Sequence, residues 1–316
     1  MSEVIKSYKG FNRDLTCRGK QYEVGKEYEE DRAQSCECGM HACEYPLDCF
    51  SYYDPAHSVY YEVEQSGDLS RRGDDSKVAS TKMKIGAEIN IAGMVKASIN
   101  YIRERIKEEK GSDDDYGASL ATGDYGASSA TGYYGASSAT GYKGASLATG
   151  DYGASSATGY YGASSATGYK GASLATGDYG ASSATGYCGA SSATGDYGAS
   201  SATGYKGASL ATGDYGASSA TGNCGASSAT GYKGASSAKD PESIAIAWGY
   251  KGRVSGVKGS FLVLADWEGD ESEYWKPYTW KLKGAKMVRV DGEHIKENTW
   301  YTMRNGKIVE VTEDDR

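Results

Sequence analysis

No stretch of this chain is apolar enough to cross a membrane. The longest bulky apolar run is Phe261-Leu262-Val263-Leu264-Ala265, far short of the roughly 20 residues a spanning helix needs. Residues 1–8 carry no apolar run, so no secretory leader is expected, and the protein reads as cytoplasmic or virion-associated. In such a compartment the seven cysteines, five of them between Cys17 and Cys49, are expected as reduced thiols rather than a disulfide frame. A basic patch is lacking as well. The net charge of -8 comes from the two flanks and from Asp113-Asp114-Asp115, because the middle sets five Asp against four Lys. Nucleic acid is therefore not an expected partner. Nor is the middle expected to imitate DNA, since one net charge over its length is far below phosphate density.

What the middle does have is a repeat. Over 116–238 a nine-residue unit recurs thirteen times, with a truncated fourteenth beginning at Lys233. Numbered from Tyr116 to Asp124, the unit keeps glycine at positions 2 and 8 and encloses Ala118-Ser119-Leu120-Ala121-Thr122 between them. Five residues bounded by turn glycines read as a strand. Two glycines per nine residues would cost a helix about 2 kcal/mol per unit. Disorder, the alternative for a Gly/Ser/Ala tract, does not require strict register or a tyrosine at fixed phase. The expected fold is mainly β: a two-sheet β-roll of about 18 residues per coil and roughly 30 Å long. A triangular coil of 27 residues is the alternative, drawn from the recurrence of Leu120, Leu147 and Leu174.

Strand alternation leaves two facings open. Leucine at position 5, and isoleucine at Ile244 and Ile246, favour positions 3, 5 and 7 inside. Ser119, Ala121, Ser128 and Ala130 would then form a flat outer lattice suited to pairing with another copy. The opposite facing would expose Ser-x-Thr ladders, an array suited to ice. Positions 9 and 1 make the turns and hold fifteen of the 28 tyrosines, among them Tyr133-Tyr134 and Tyr160-Tyr161. These are expected to stack as edge ladders, with a partner- or carbohydrate-binding stripe as the sharper reading. Asp178, Asp196 and Asp214 should share one edge, where three carboxylates repel unless screened or metal-bound. The unit lacks the Gly-Gly-x-Gly-x-Asp pattern of calcium rolls. Cys188 and Cys224, two coils apart, are too distant for a disulfide.

The chain divides into an α/β module over 1–91, a capping helix with an acidic lead-in over 92–115, the solenoid with a final apolar coil over 116–260, and a β domain over 261–316. In the first, Val4-Ile5, Tyr22-Val24, 59–64 and 83–91 read as strands, and Pro46 opens a short helix. Val95, Ile99, Ile102 and Ile106 form one apolar helical stripe, with Arg103, Glu104, Lys107 and Glu108 opposite. That helix is expected to cap the open end of the first coil. Cys36, Cys38, His41 and Cys43 could hold zinc, although their spacing is cramped and lacks two Cys-x-x-Cys knuckles. Structural thiols around a satisfied histidine are the default, and no cofactor is expected. In the tail, Phe261–Leu264, 278–282, 287–290, 300–303 and 308–311 read as strands, with turns at Asp291-Gly292 and Asn305-Gly306. All five tryptophans fall in the carboxy-terminal flank from Trp248 onward and are expected to form the core of its cap.

Tyr8-Lys9-Gly10-Phe11-Asn12, Leu15-Thr16-Cys17-Arg18-Gly19, Tyr22-Glu23-Val24-Gly25-Lys26-Glu27-Tyr28 and His41-Ala42-Cys43-Glu44, with Thr299-Trp300-Tyr301-Thr302 near the end, resemble a family of bacterial and prophage proteins. Its members share this module, nonapeptides rich in Ala, Thr and Gly, and a small tail. The resemblance implies the layout and no activity. Arg18-Gly19, Gly39-Met40-His41 and Tyr52-Tyr53, with Glu62 or Glu64 beyond, are more loosely similar to ADP-ribosyltransferases, which would imply an amino-terminal enzyme with a catalytic glutamate. The apolar coil after Pro241 is similar to the coils of trimeric autotransporter adhesin heads. The expected function is a non-enzymatic scaffold that self-associates into a homo-oligomer and binds a further protein partner. The alternatives are a host-defence antagonist that binds a bacterial protein or nucleotide, the ADP-ribosyltransferase-like enzyme, and an ice-binding solenoid.

Overall fold

The computed structural model describes residues 3–71, 76–104, 110–112, 116 and 118–312. Ile106, Lys107, Glu108, Asp113, Asp114 and Asp115 lie outside the described residues, as does the side chain of Ile102.

Within the repeat, each unit forms one short strand. It pairs in parallel with the strand eighteen residues on, Ala136 with Ala154 and Ala145 with Ala163. Alternate units therefore build two sheets, and two units close one coil. The 27-residue triangle is thus not adopted. One sheet contains Ala127–Thr131, Ala145–Thr149 and Ala163–Thr167, and the other contains Ala118–Thr122, Ala136–Thr140 and Ala154–Thr158.

The facing is the reverse of the one expected. Ser119, Ala121, Ser128 and Ala130 point inward at 8%, 5%, 3% and 0% exposure, while Leu120 is 58% exposed. Serines from alternate sheets meet along the axis. Ser155 Oγ donates to Ser146 Oγ at 2.9 Å, Ser164 to Ser155 at 3.0 Å and Ser173 to Ser164 at 3.0 Å. The same donation continues, always toward the lower number, as far as Ser236. Sheets held close enough for hydroxyls to touch leave no interior space for leucine, and each buried hydroxyl finds its partner. Ser182→Ala should strip Ser191 of its acceptor and Ser173 of its donor, costing about 2 kcal/mol in urea denaturation. Adding Ser191→Ala should cost less than it does alone, because the shared bond is already gone. Fully additive costs would mean that the hydroxyls act independently.

The turns carry the tyrosines as stacked ladders. Tyr179, Tyr197 and Tyr215 stack at 5.3 and 5.1 Å on one edge, and Tyr169, Tyr187 and Tyr205 at 5.2 Å on the other. In the aspartate column, Asp196 Oδ1 accepts the Asp214 N–H and Asp214 Oδ1 accepts the Tyr232 N–H, both at 2.9 Å. Backbone donors of the next coil thus offset the crowding of like charges. Burial, and secondarily Asp196, still raise the Asp214 carboxyl above its ordinary value against the pull of the Tyr232 N–H.

The amino-terminal module has strands β1 (Ile5–Asn12), β2 (Thr16–Cys17), β3 (Lys20–Gln21), β4 (Glu27–Glu29), β5 (Met40–Cys43), β6 (Ser58–Arg71) and β7 (Lys77–Ile89). Tyr22-Val24 is not a strand, because the chain has already turned through the β2–β3 hairpin. Pairings of β1 with β5 and β6, and of β7 with β5 and β6, close the main sheet on itself around Phe11, Met40, Val63 and Met83. Pro46 does open a short 3-10 helix, Pro46–Ser51. Helix α1 (Ile91–Arg103) starts where Asn90 Oδ1 accepts the Gly93 N–H.

Helix α1 does not cap the first coil. It lies across the outer face of the sheet containing Ala127–Thr131, where Met94, Val95 and Ile99 pack on Ala127, Ala145, Ala163, Ala181 and Ala199. A surface of small side chains offers a longer apolar contact than the rim of one coil, and burial follows the larger area. The module thereby rides along the rod and covers one of its two sheets. At the far end Arg13 stacks on Trp300 of the tail, 4.3 Å from the ring.

The tail prolongs both sheets. Phe261–Glu268 pairs in parallel with Ile244–Ala247 and antiparallel with Lys281–Arg289, and Tyr301–Arg304 pairs antiparallel with Arg253–Gly256. The segments expected at 278–282 and 287–290 prove to be one strand, preceded by a 3-10 turn that Pro277 initiates. Asn305-Gly306 makes its tight turn, with φ of 48° and 73°. The tail core is Val254, Leu262, Leu264, Val290, Tyr301 and Met303, with no tryptophan in it. The indoles serve instead as edge plates: Trp248 is 39% and Trp275 60% exposed, and Trp300 lies between Arg13 and Arg253.

Candidate functional site

The uncovered sheet forms a shallow concave surface along the rod. Its inward rows are the serines and alanines described above, so its outward rows are positions 3, 5 and 7, as in Ala136, Ser138 and Thr140. Ala136, Ala154, Ala172 and Ala190 are exposed, whereas their counterparts Ala145, Ala163, Ala181 and Ala199 on the other sheet are buried under the module. The same repeat thus produces one covered and one bare face. A shallow trough of ≈ 920 Å³ runs along the bare face from Ala118 to Ile246. Leu120, Leu174 and Leu210 rise from it at 58%, 40% and 38% exposure.

These leucines were legible only as core candidates in the sequence. A parity signal existed: counting units from Tyr116, Leu120, Leu174 and Leu210 fall in odd units and so on one sheet, while Leu147 falls in an even one. Of the surface residues expected, Ser119, Ala121, Ser128 and Ala130 are interior. Tyr133, Tyr134 and Tyr160 are exposed at 47%, 41% and 40%. Tyr161 is buried at 8% because it is a contact within the chain: its backbone oxygen accepts from Tyr45 Oη at 2.9 Å, and its hydroxyl meets Ser51 Oγ at 2.7 Å. Burial pushes its phenol well above the ordinary range.

Cys36, Cys38, His41 and Cys43 all line one recess of ≈ 440 Å³ in the module. They are not arranged as ligands. Among the described residues no three His, Cys, Asp or Glu side chains converge to hold a metal ion, and His41 Nε2 accepts the Cys36 N–H at 3.1 Å. Arg18 and His41 do share that recess. Glu62 and Glu64 do not line it, and instead pair with Lys6 at 2.8 Å and Lys84 at 3.8 Å. Among the described residues no helix is long and apolar enough to cross a membrane.

Residues 5–97 are similar to a family described as a domain of unknown function, DUF7666. No curated protein and no solved structure matches the chain.

Proposed function

We propose that the protein is a non-enzymatic scaffold whose bare solenoid face pairs with the same face of a second copy. The observation that carries this reading is the asymmetry of the two sheets. On the covered side an Ala-rich lattice already packs tightly against another surface, and its twin offers the same lattice uncovered, with Leu120, Leu174 and Leu210 exposed on it. Nine parallel strands on that side, about 4.8 Å apart and about 14 Å wide, present about 600 Å² per copy. The resulting total of about 1,200 Å² lies at the lower bound of stable interfaces.

The leucine pattern suits a two-fold axis, as a self-complementary interface requires. An axis between Ala172–Thr176 and Ala190–Thr194 would set Leu174 opposite the second copy's Ser192, and Leu210 opposite its Ser156. Leu174 and Leu210 then each meet a serine, while at the two ends Leu120 meets Ile246. Leu174→Glu with Leu210→Glu should convert a dimer to a monomer in sedimentation at micromolar concentration, while Tyr205→Ser on the edge leaves the dimer intact. A wild-type protein that stays monomeric would sink the reading.

The outward Ser138-x-Thr140 and Ser156-x-Thr158 rows also form the hydroxyl array an ice-binding face would use. Three protruding leucines interrupt that array and favour pairing, and a thermal hysteresis in solution would reverse this preference. The layout read from the sequence resembles bacterial and prophage proteins, and on that resemblance we extend the proposal to a phage-borne origin.

A further inference from the structure

The recess in the amino-terminal module is a different kind of surface from the solenoid face. Four cationic side chains line it, Lys9, Arg18, Lys20 and Lys77, against two carboxylates, Glu30 and Glu37. A net positive recess is notable in a chain of net charge -8. Its volume of ≈ 440 Å³ falls within the range of small-molecule sites.

Three of the cations surround one imidazole. Lys9, only 6% exposed, donates to the His41 carbonyl oxygen at 2.8 Å. Burial first, then the charges of Lys9, Lys77 and Arg18, hold His41 below its ordinary value, against the pull of the Gly39 carbonyl. A ring so placed is neutral at pH 7 and adds no counter-charge. The field in the recess therefore favours an anion.

Arg18 is held there at a conformational cost. Arg18-Gly19 forms the two-residue turn between β2 and β3, with φ of 49° and 77°. Asparagine or glycine would suit the first of these positions, and an arginine in the left-handed region is strained. Arg18 is exposed and has no hydrogen-bond or ion-pair partner among the described residues. Strain retained at an exposed cation over a recess points to a ligand rather than to folding.

Aromatic side chains line the recess beside these cations. Tyr53 is fixed there by the Cys17 thiol, 2.7 Å from its hydroxyl. It fits only because β1 has glycine at Gly10, where a Cβ would lie 2.8 Å from Tyr53 Cδ2. Tyr52 beside it is 47% exposed, with Lys77 Nζ 4.4 Å from its ring centroid.

We infer that this recess binds a small phosphomonoester carrying a flat ring, such as a nucleoside monophosphate. Arg18, Lys9 and Lys77 would receive the phosphate, and Tyr52 would carry the ring. Guanidinium recognition of phosphate is charge-assisted and bidentate, and ring stacking on tyrosine does not depend on which base is present.

The test is calorimetric titration of the full chain with AMP, adenosine and inorganic phosphate. AMP should bind saturably and at least tenfold more tightly than either fragment. Arg18→Asn removes the charge while suiting the turn, so it should weaken AMP at least tenfold with a melting temperature no lower than that of the wild type. Lys9→Met should weaken AMP as well. AMP affinity unaffected by Arg18→Asn, adenosine binding as tightly as AMP, phosphate competing as well as AMP, or no saturable heat with AMP would each overturn the assignment.

Discussion

Gly195→Ala is expected to break the rod near its middle. Gly195 has φ of 127°, a region closed to side chains, and an added Cβ would lie 2.6 Å from the Gly177 carbonyl carbon and 3.0 Å from Asp178 Cα. Both atoms belong to the backbone of the adjacent coil, which cannot yield alone. Gly177 donates to the Thr194 oxygen and Gly195 to the Thr212 oxygen, each at 2.9 Å, so three coils are tied through this corner. Backbone strain of about 1–3 kcal/mol and the lost register together should cost about 4 kcal/mol, a large share of a total of about 5–15 kcal/mol. Because a solenoid is held by nearest-neighbour contacts, the denaturation curve should also become less steep. Thr194→Ala, outward on the same strand, should change stability by less than about 0.5 kcal/mol. A Gly195→Ala protein with the wild-type midpoint would mean that the coils do not stack at this spacing.

The second large effect is expected at Asp48. This carboxylate, 1% exposed, accepts from Ser76 N at 3.0 Å and Ser76 Oγ at 2.5 Å, and pairs with Lys143 Nζ at 2.9 Å. The Lys143 side chain is itself 7% exposed, 4.5 Å from the Tyr45 ring centroid and 5.4 Å from that of Tyr161. Asp48→Ala leaves that ammonium buried without its counter-charge, and breaking such a pair from one side costs about 3–5 kcal/mol. Lys143→Met should cost less, because Asp48 keeps its Ser76 bonds, and the double variant should be more stable than Asp48→Ala alone. Hydrogen exchange should show α1 and Ala145–Thr149 losing protection in Asp48→Ala, as the module lifts from the rod. Equal losses in both single variants would show that the ion pair is not what joins the two parts.

Lys143 shows how far the repeat alone can be read. In sequence it is one more variable turn residue, equivalent to Lys170 and Lys206. In the fold it faces Asp48, which is 95 residues away, and no local pattern announces that meeting. The recess was only partly legible. Arg18 and His41 were singled out and do share it, but Lys9, Lys20 and Lys77 join them through strand pairings that a linear reading does not contain.

The leucines misled for a physical reason. Hydrophobicity favours Leu120 inside wherever two sheets are separated by ordinary side chains. Here the two sheets approach until Ser146, Ser155 and Ser164 share hydrogen bonds, and volume rather than polarity decides what enters. A serine with its bonds made is cheaper to bury than a leucine is to fit.

From sequence alone, the fixed spacing of glycine and tyrosine dictated strands, turns and stacked aromatic edges, because each follows from the conformations available to neighbouring residues, whereas the choice of two units per coil over three was made by strand pairing. Which rows faced inward, which sheet the module covered, and which cations gathered around His41 were decided only by tertiary structure. Each depends on how close two distant surfaces can approach, and the chain records that distance at no single position.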